Sequence, residues 1–386
     1  MEKNIIQHKK TKQINKIIDY IGSKEKLFNF IEEKMNITKK QTKVIDLFSG
    51  SCVFSKMLYD KHYKKNIQLI TNDYQYFSYI ASNFIDGYIE KEKLIKLIKI
   101  LDNLEPISGD IFNEFSENGN PRSINDKEKV FNFIVAKTNK LEPQYRNFFK
   151  EEVGKKADAI KNQIKKWNIS EEITEEETNI LLLFLLYFVD KNANTTSVYG
   201  AYLKEQKMKN IIPFYNETLI EALSNNQKTV KVNDRQNLGV LEFLEKYKHE
   251  NKKVDIIYID PPYNTRDYFS LYHILNYIVD LNFHPISDIR INSKTAIPNK
   301  ENKNLFSTST TENTMNKIIG ISSEISDKIY LSYNNESFLT LDQFEKIFQQ
   351  YGLKYKLHTQ EHQRYISRTD RESHTKIQEW LFEIFK

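Results

Sequence analysis

Late in a chain of 386 residues, the β-rich run Val254-Asp255-Ile256-Ile257-Tyr258-Ile259 stops at Asp260-Pro261-Pro262-Tyr263. Two consecutive prolines stiffen the backbone and remove two N–H donors while leaving carbonyls free to accept. The Asp260 carboxylate beside a fixed Pro261 carbonyl can take both hydrogens of an exocyclic amine. It can also stabilise positive charge as that nitrogen bonds to an electrophile. Pro262 braces the turn, and Tyr263 offers a flat face on which a planar base can stack. The competing reading is a strand-ending Pro-Pro turn with a capping aspartate. Its place directly after an apolar strand tips the balance toward chemistry.

A second turn, Asp46-Leu47-Phe48-Ser49-Gly50-Ser51-Cys52, resembles a nucleotide-binding turn but lacks the full G-x-G-x-x-G that brings backbone close to a pyrophosphate. A dinucleotide is disfavoured. Gly50 permits close approach by a ligand without phosphates, such as an adenosine carrying an amino acid, or is simply a turn glycine. Asp73 stands where an acidic side chain accepts ribose hydroxyls in a fold of this type, and reads equally as a helix N-cap. Asn233-Asp234 is likewise a cap or a purine contact. Tyr20-Ile21-Gly22-Ser23-Lys24 precedes a helix over residues 25–33, where Lys24 either pairs with a ligand carboxylate or is a solvated charge.

The elements that must position these residues are short strands alternating with helices. Residues 43–48, 66–70, 254–259, 328–332, 353–357 and 379–385 read as strands, and residues 53–59 and 238–247 as helices. This pattern predicts an α/β fold with a parallel, doubly wound sheet, whose ligand sits at the carboxyl ends of the strands. The helical pattern from about residue 77 to 225 is too long for one crossover, so the expected organisation is a catalytic domain in two parts, 1–105 and 226–386, around an inserted helical domain, 106–225. Polar residues 287–316, with Lys294, Lys300 and Lys303, read as a long loop or lid.

Composition narrows the function. The longest apolar run, residues 180–189, falls far short of the roughly 20 residues that span a bilayer, so no membrane partner is expected. No export signal is visible and the single cysteine, Cys52, forms no internal disulfide, which together predict a cytoplasmic protein. A net charge of +5 is mildly favourable for a polyanion. No histidine or carboxylate spacing predicts a metal site, and no Ser-His-Asp or paired-carboxylate hydrolase pattern occurs.

Taken in order, Tyr20 to Lys24, Asp46 to Ser51, Asp73 and Asp260 to Tyr263 resemble the motif series of the alpha-type, Dam-like (D12 class) N6-adenine DNA methyltransferases. Residues 194–204 and 260–277 look most like the enzymes of type IIS restriction systems. The resemblance implies a Rossmann-like methyltransferase sheet and S-adenosyl-L-methionine as methyl donor. It implies that Tyr20, Gly22, Lys24, Asp73, Asp234 and Asp260 hold the donor, with Asp46, Phe48 and Gly50 forming the turn beneath it. Double-stranded DNA is the implied substrate, its adenine flipped out of the duplex toward Asp260 and Tyr263, and a cognate restriction endonuclease the implied partner. Target reading would fall to the insert and the lysine-rich loop, with phosphate contacts supplying much of the affinity. Cys52 stands where the family has the second glycine of its turn, which predicts a side chain intruding on the donor. Two rivals remain at this point. The acceptor is RNA or the N4 amine of cytosine, against which Asp260 argues because cytosine enzymes commonly carry serine there. Alternatively, the chain is a DNA-binding protein of the same fold without turnover.

Overall fold

The computed structural model describes residues 14, 16–65, 67–124, 145–203, 210–225, 234–262, 267–299, 305–363 and 376–386. Seven strands form one sheet: β1 (Lys43–Asp46), β2 (Gln68–Asn72), β3 (Asp234–Gln236), β4 (Ile256–Ile259), β5 (Lys328–Asn334), β6 (Lys354–Gln363) and β7 (Lys376–Phe385). Their order is β3-β2-β1-β4-β5-β7-β6. The first five run parallel, and β7 is antiparallel to both β5 and β6. The expected parallel, doubly wound sheet is thus present over β1 to β5, with β7 and β6 added antiparallel at one edge. Strands β6 and β7, consecutive in the chain, pair antiparallel over their whole length as a hairpin. The order reverses between β1 and β4, and at that switch point a crevice opens at the carboxyl ends.

Side-chain alternation in the strands decides which layer covers which face. Val44, Leu69, Ile256, Tyr258, Tyr330 and Leu381 join one buried cluster, while Ile45, Ile70, Ile257, Ile259, Leu331 and Phe382 join another. The first face is covered by the 3-10 turn Lys24–Leu27 and helices α1 (Phe28–Met35), α2 (Val53–His62), α3 (Tyr76–Ala81), α4 (Asn83–Asp86) and α5 (Lys91–Asp102). Between β2 and β3 follow α6 (Asp110–Phe115), α7 (Glu151–Ile169), α8 (Glu175–Lys191) and α9 (Glu217–Ser224). The second face is covered by α10 (Val240–His249), α13 (Thr311–Ile325) and α14 (Leu341–Gln350). Helix α11 (Tyr268–Val279) and the turn α12 (Pro285–Asp288) lie between β4 and α13.

The apolar run 180–189 falls inside α8, which opens with a capping box from Thr174 and Glu177. Being apolar almost all round, α8 is buried almost all round, packed on α3, α4, α7 and α11. The helices between β2 and β3 and those that flank the strands therefore share one apolar core.

Three local expectations change. Strand β2 extends to Asn72, so that Asn72 sits on its last rung. Strand β3 carries no apolar alternation and gave no sequence signal; its DRQ sequence pairs only because β2 presents an open edge. The loop from residue 287 is anchored rather than loose as far as it is described: Arg146 donates to the Ser293 carbonyl (Nη2, 2.6 Å), Ile289 bridges Pro298, and its last residues, from Thr311, start α13. Lys300 and Lys303 lie outside the described residues.

Candidate active site

Strand β1 delivers the chain into the turn after Asp46, where the Leu47 N–H donates to the Tyr258 carbonyl and the Ser49 N–H to the Asn72 carbonyl, both at 3.0 Å. The turn is thereby tied to β4 on one side and β2 on the other. Asn72 reinforces this: its Nδ2 donates to the Leu238 carbonyl (3.2 Å), and its Oδ1 accepts the Leu238 N–H (3.2 Å). The ends of β1, β2, β3 and β4 then enclose a cavity of about 380 Å³. Ligand pockets for drug-sized molecules begin at about 300 Å³.

Of the residues singled out by sequence, Tyr20, Gly22, Lys24, Phe48, Asp73, Asp260, Pro261 and Pro262 line this cavity. Lys24 is buried, 4% exposed, and its Nζ pairs with Asp260 Oδ1 at 2.8 Å while donating to the Gly22 carbonyl at 3.3 Å. The solvated-charge reading of Lys24 is excluded by that burial. Asp73 is fixed by backbone donors: Gly50 N–H to Oδ2 and Gln75 N–H to Oδ1, each 2.9 Å. Burial raises its carboxyl to about 6 against the pull of those two N–H groups. Burial also raises Asp260 above the usual carboxylate range, opposed by Lys24.

Five further residues stand differently. Asp46 lies beneath the turn and off the cavity wall, its Oδ2 accepting the Ser55 hydroxyl at 2.7 Å. Its burial pushes the carboxyl to about 7; Ser55 opposes this, and Asp260 and Asp73 add to it. Gly50 is also off the wall. With φ +50, a Cβ there would meet the Tyr20 ring at 2.9 Å, so what approaches this glycine is Tyr20. Asp234 does not reach the cavity: it opens parallel strand β3 opposite Ile70, at the end away from the crevice, and accepts the Tyr247 hydroxyl at 3.5 Å. Tyr263 and Asn233 lie outside the described residues.

The expected intrusion of Cys52 also fails. The residue takes the left-handed conformation a glycine would (φ 59), but its Sγ turns inward, 3.5 Å from the Ser78 carbonyl, and is buried away from the cavity. Cys52→Gly is accordingly expected to leave cofactor affinity unchanged. Relief of left-handed strain, about 1–3 kcal/mol, is partly offset by the lost Sγ contacts and the entropy of glycine. The unfolding midpoint should shift by no more than a few degrees, which calorimetry would check.

Sequence reasoning missed the aromatic wall. Tyr74, Gln75, Asp267, Tyr268, Phe269, Leu305 and Phe306 also line the cavity. Tyr20 stacks on Tyr272 with centroids 4.6 Å apart, and the Tyr272 hydroxyl accepts the Ile21 N–H at 2.7 Å, so α11 holds the first motif in place. Asn276 docks α11 on α3 by accepting the Phe77 N–H at 3.0 Å. Phe48 meets Phe306 edge-on at 5.6 Å. Asp267, the N-cap of α11, was a visible signal; the distant Phe306 gave none.

The assembled cavity is flat-walled and acidic, with one buried ammonium. Such a site suits a planar heterocycle, hydroxyl donors and a cation. Among the described residues no group of His, Cys, Asp and Glu is arranged to hold a metal ion, and no helix is long and apolar enough to cross a membrane.

The family model for D12 class N6 adenine-specific DNA methyltransferases matches residues 20–347. The chain is 30% identical over 364 residues to the type II methyltransferase M.NlaIII of Neisseria lactamica, covering 92% of this chain and 95% of that protein. It is 27% identical to M.CviAII of Paramecium bursaria Chlorella virus 1, covering 95% and 98%. Against M.FokI of Planomicrobium okeanokoites identity is 28%, covering 95% of this chain and 52% of that protein, so the chain spans about half of it. The crystal structure of SMU.776 complexed with SAH overlaps 40% of this chain and 33% of that one, at 18% identity and a TM-score of 0.22, an overlap that adds nothing to the sheet order above. With the model matching from the Tyr20 motif to beyond β5, and a relative matched almost end to end, the chain belongs to the D12 class N6 adenine-specific DNA methyltransferases.

Proposed function

We propose that the cavity at the carboxyl ends of β1, β2 and β4 is where this methyltransferase works, with S-adenosylmethionine on its turn side and a flipped adenine against Asp260 and Pro261. The observation that carries the reading is convergence: Lys24, Asp73 and Asp260 come from distant parts of the chain and border one cavity. When bound, the donor supplies an activated sulfonium methyl, whose C–S bond breaks as the bond to N6 forms.

The chain's own residues do the rest. Asp73, held by two backbone N–H groups, presents its remaining lone pairs to ribose hydroxyls. Phe48 and Phe306 supply flat apolar surface for the donor's adenine. Lys24 offers its ammonium to the donor's carboxylate. Asp260 and the Pro261 carbonyl accept the hydrogens of N6, raising its electron density and aligning it for in-line attack. Flipping the base costs a few kcal/mol, about what stacking on one aromatic ring returns, and Tyr263 is that ring in this reading.

Segment 106–225 is the inserted unit that reads the target. A restriction endonuclease of the same specificity is the expected partner, since M.NlaIII, M.CviAII and M.FokI are type II methyltransferases. The cytoplasm, where cellular DNA and the donor occur together, is its expected place.

The test is transfer of labelled methyl from S-adenosylmethionine to unmodified duplex DNA, followed by sequencing of the modified bases. Label on N6 of adenine within one short sequence context is expected. Label on cytosine N4, or DNA retention with no label, would overturn the reading.

A further inference from the structure

Strand β7 brings another carboxyl to the face of the sheet that carries Lys24 and Asp260. Glu379 sits opposite Asn334, the last residue of β5, and opposite Gln360 on β6. It lies two residues before Leu381, which packs on the face of the sheet covered by the Lys24–Leu27 turn. By the same alternation, Asp260, two residues after Tyr258, points to that face, where Lys24 meets it. Glu379 is 7% exposed, and among the described residues its buried Oε2 has no hydrogen-bond partner. A leucine there would extend the apolar face without an orphaned oxygen, so packing alone gives no reason for a carboxyl. Burial raises Glu379 to about 7, with the charge of Lys24 drawing it down and that of Asp260 pushing it up.

We propose that Glu379 is a positioning residue for methyl transfer: it is the second acceptor for the Lys24 ammonium, which shifts toward the open Oε2 when the target amine takes Asp260. Asp260 cannot give its full acceptor strength to N6 while it holds Lys24, whose ammonium has three protons to place: one meets the Gly22 carbonyl, one is offered to the donor's carboxylate, and the one Asp260 releases needs another acceptor. A carboxylate on β7, one strand beyond β5 on the same face of the sheet, resolves both demands. The inference rests on Asp260 being the acceptor of the amine.

Single-turnover methyl transfer to unmodified duplex DNA by the full chain tests it, with binding of S-adenosylhomocysteine and the unfolding midpoint measured alongside. Glu379→Gln and Glu379→Leu are each expected to slow transfer by about 10–100-fold. The unfolding midpoint should not fall, and should rise for leucine, with S-adenosylhomocysteine affinity within about twofold. Should one variant fail to fold, the other decides. Added to Lys24→Met, Glu379→Gln should cost nothing further, because both act through one contact. Wild-type rates in the Glu379 variants, or losses that multiply with Lys24→Met, would overturn the proposal while an inactive Asp260→Ala control left the site reading intact. If Asp260→Ala keeps its activity, the site reading itself fails.

Discussion

Asp260→Ala is expected to lower the rate of methyl transfer by about 10²–10³-fold or more, the range seen when a preorganised group facing developing charge is removed. The aligned acceptor for N6 is lost, and the Pro261 carbonyl alone cannot hold both hydrogens. The rate should fall much more than donor affinity, because the contact strengthens as positive charge grows on the nitrogen. Stability should fall too. Lys24, with its side chain 3% exposed, would lose the carboxylate 2.8 Å away, and breaking a buried pair from one side costs about 3–5 kcal/mol. Combining Asp260→Ala with Lys24→Met separates the effects: the unfolding midpoint should recover and the activity should not. A single variant within tenfold of wild type would remove Asp260 from the chemistry.

Asp73→Ala should act on the donor instead. Its carboxylate accepts from Gly50 and Gln75, and hydrogen bonds to charged groups are worth about 1.5–3 kcal/mol each before the cost of burying the carboxylate is subtracted. Losing them frees the glycine turn against which Tyr20 packs, and removes the acceptor for the ribose. Affinity for S-adenosylhomocysteine, followed by titration calorimetry, should fall about 10²-fold, with KM for the donor rising more than kcat falls. Asp73→Asn, which keeps one acceptor oxygen, should lie between. In the wild type, donor affinity should weaken as pH drops from 7 toward 5, because a carboxyl raised to about 6 gains a proton there and loses an acceptor. A donor affinity unchanged in Asp73→Ala, or flat across that pH range, would leave Asp73 only its backbone contacts.

The parts of this site legible in sequence were those with a local cause. Asp260 to Pro262 and Asp46 to Gly50 end apolar strands, and a strand that stops at chemically unusual residues marks a crevice edge. What failed was each inference needing a side chain's direction. Cys52 was expected to face the donor, but a residue at φ 59 sends its side chain where the surrounding fold has room, here toward Ser78. Gly50, read either as room for a ligand or as a turn glycine, has the ring of Tyr20 above it, a partner from elsewhere in the chain. Asp234, read either as a cap or as a purine contact, opens a strand of three polar residues and accepts the Tyr247 hydroxyl at the end of β3 away from the cavity.

By itself the sequence determined the fold class, the family and the chemical groups offered, because strand periodicity, proline placement and motif order are local properties of the chain. The tertiary structure alone decided that Lys24 is buried on Asp260, that α11 pins Tyr20, that Phe306 closes the wall, and that β7 turns back to place Glu379 on the sheet face that carries Lys24 and Asp260. Each of these contacts joins residues far apart in sequence, and depends on strand order and on which face of the sheet a side chain meets. Those follow from burying the whole core at once, which no short stretch of sequence encodes.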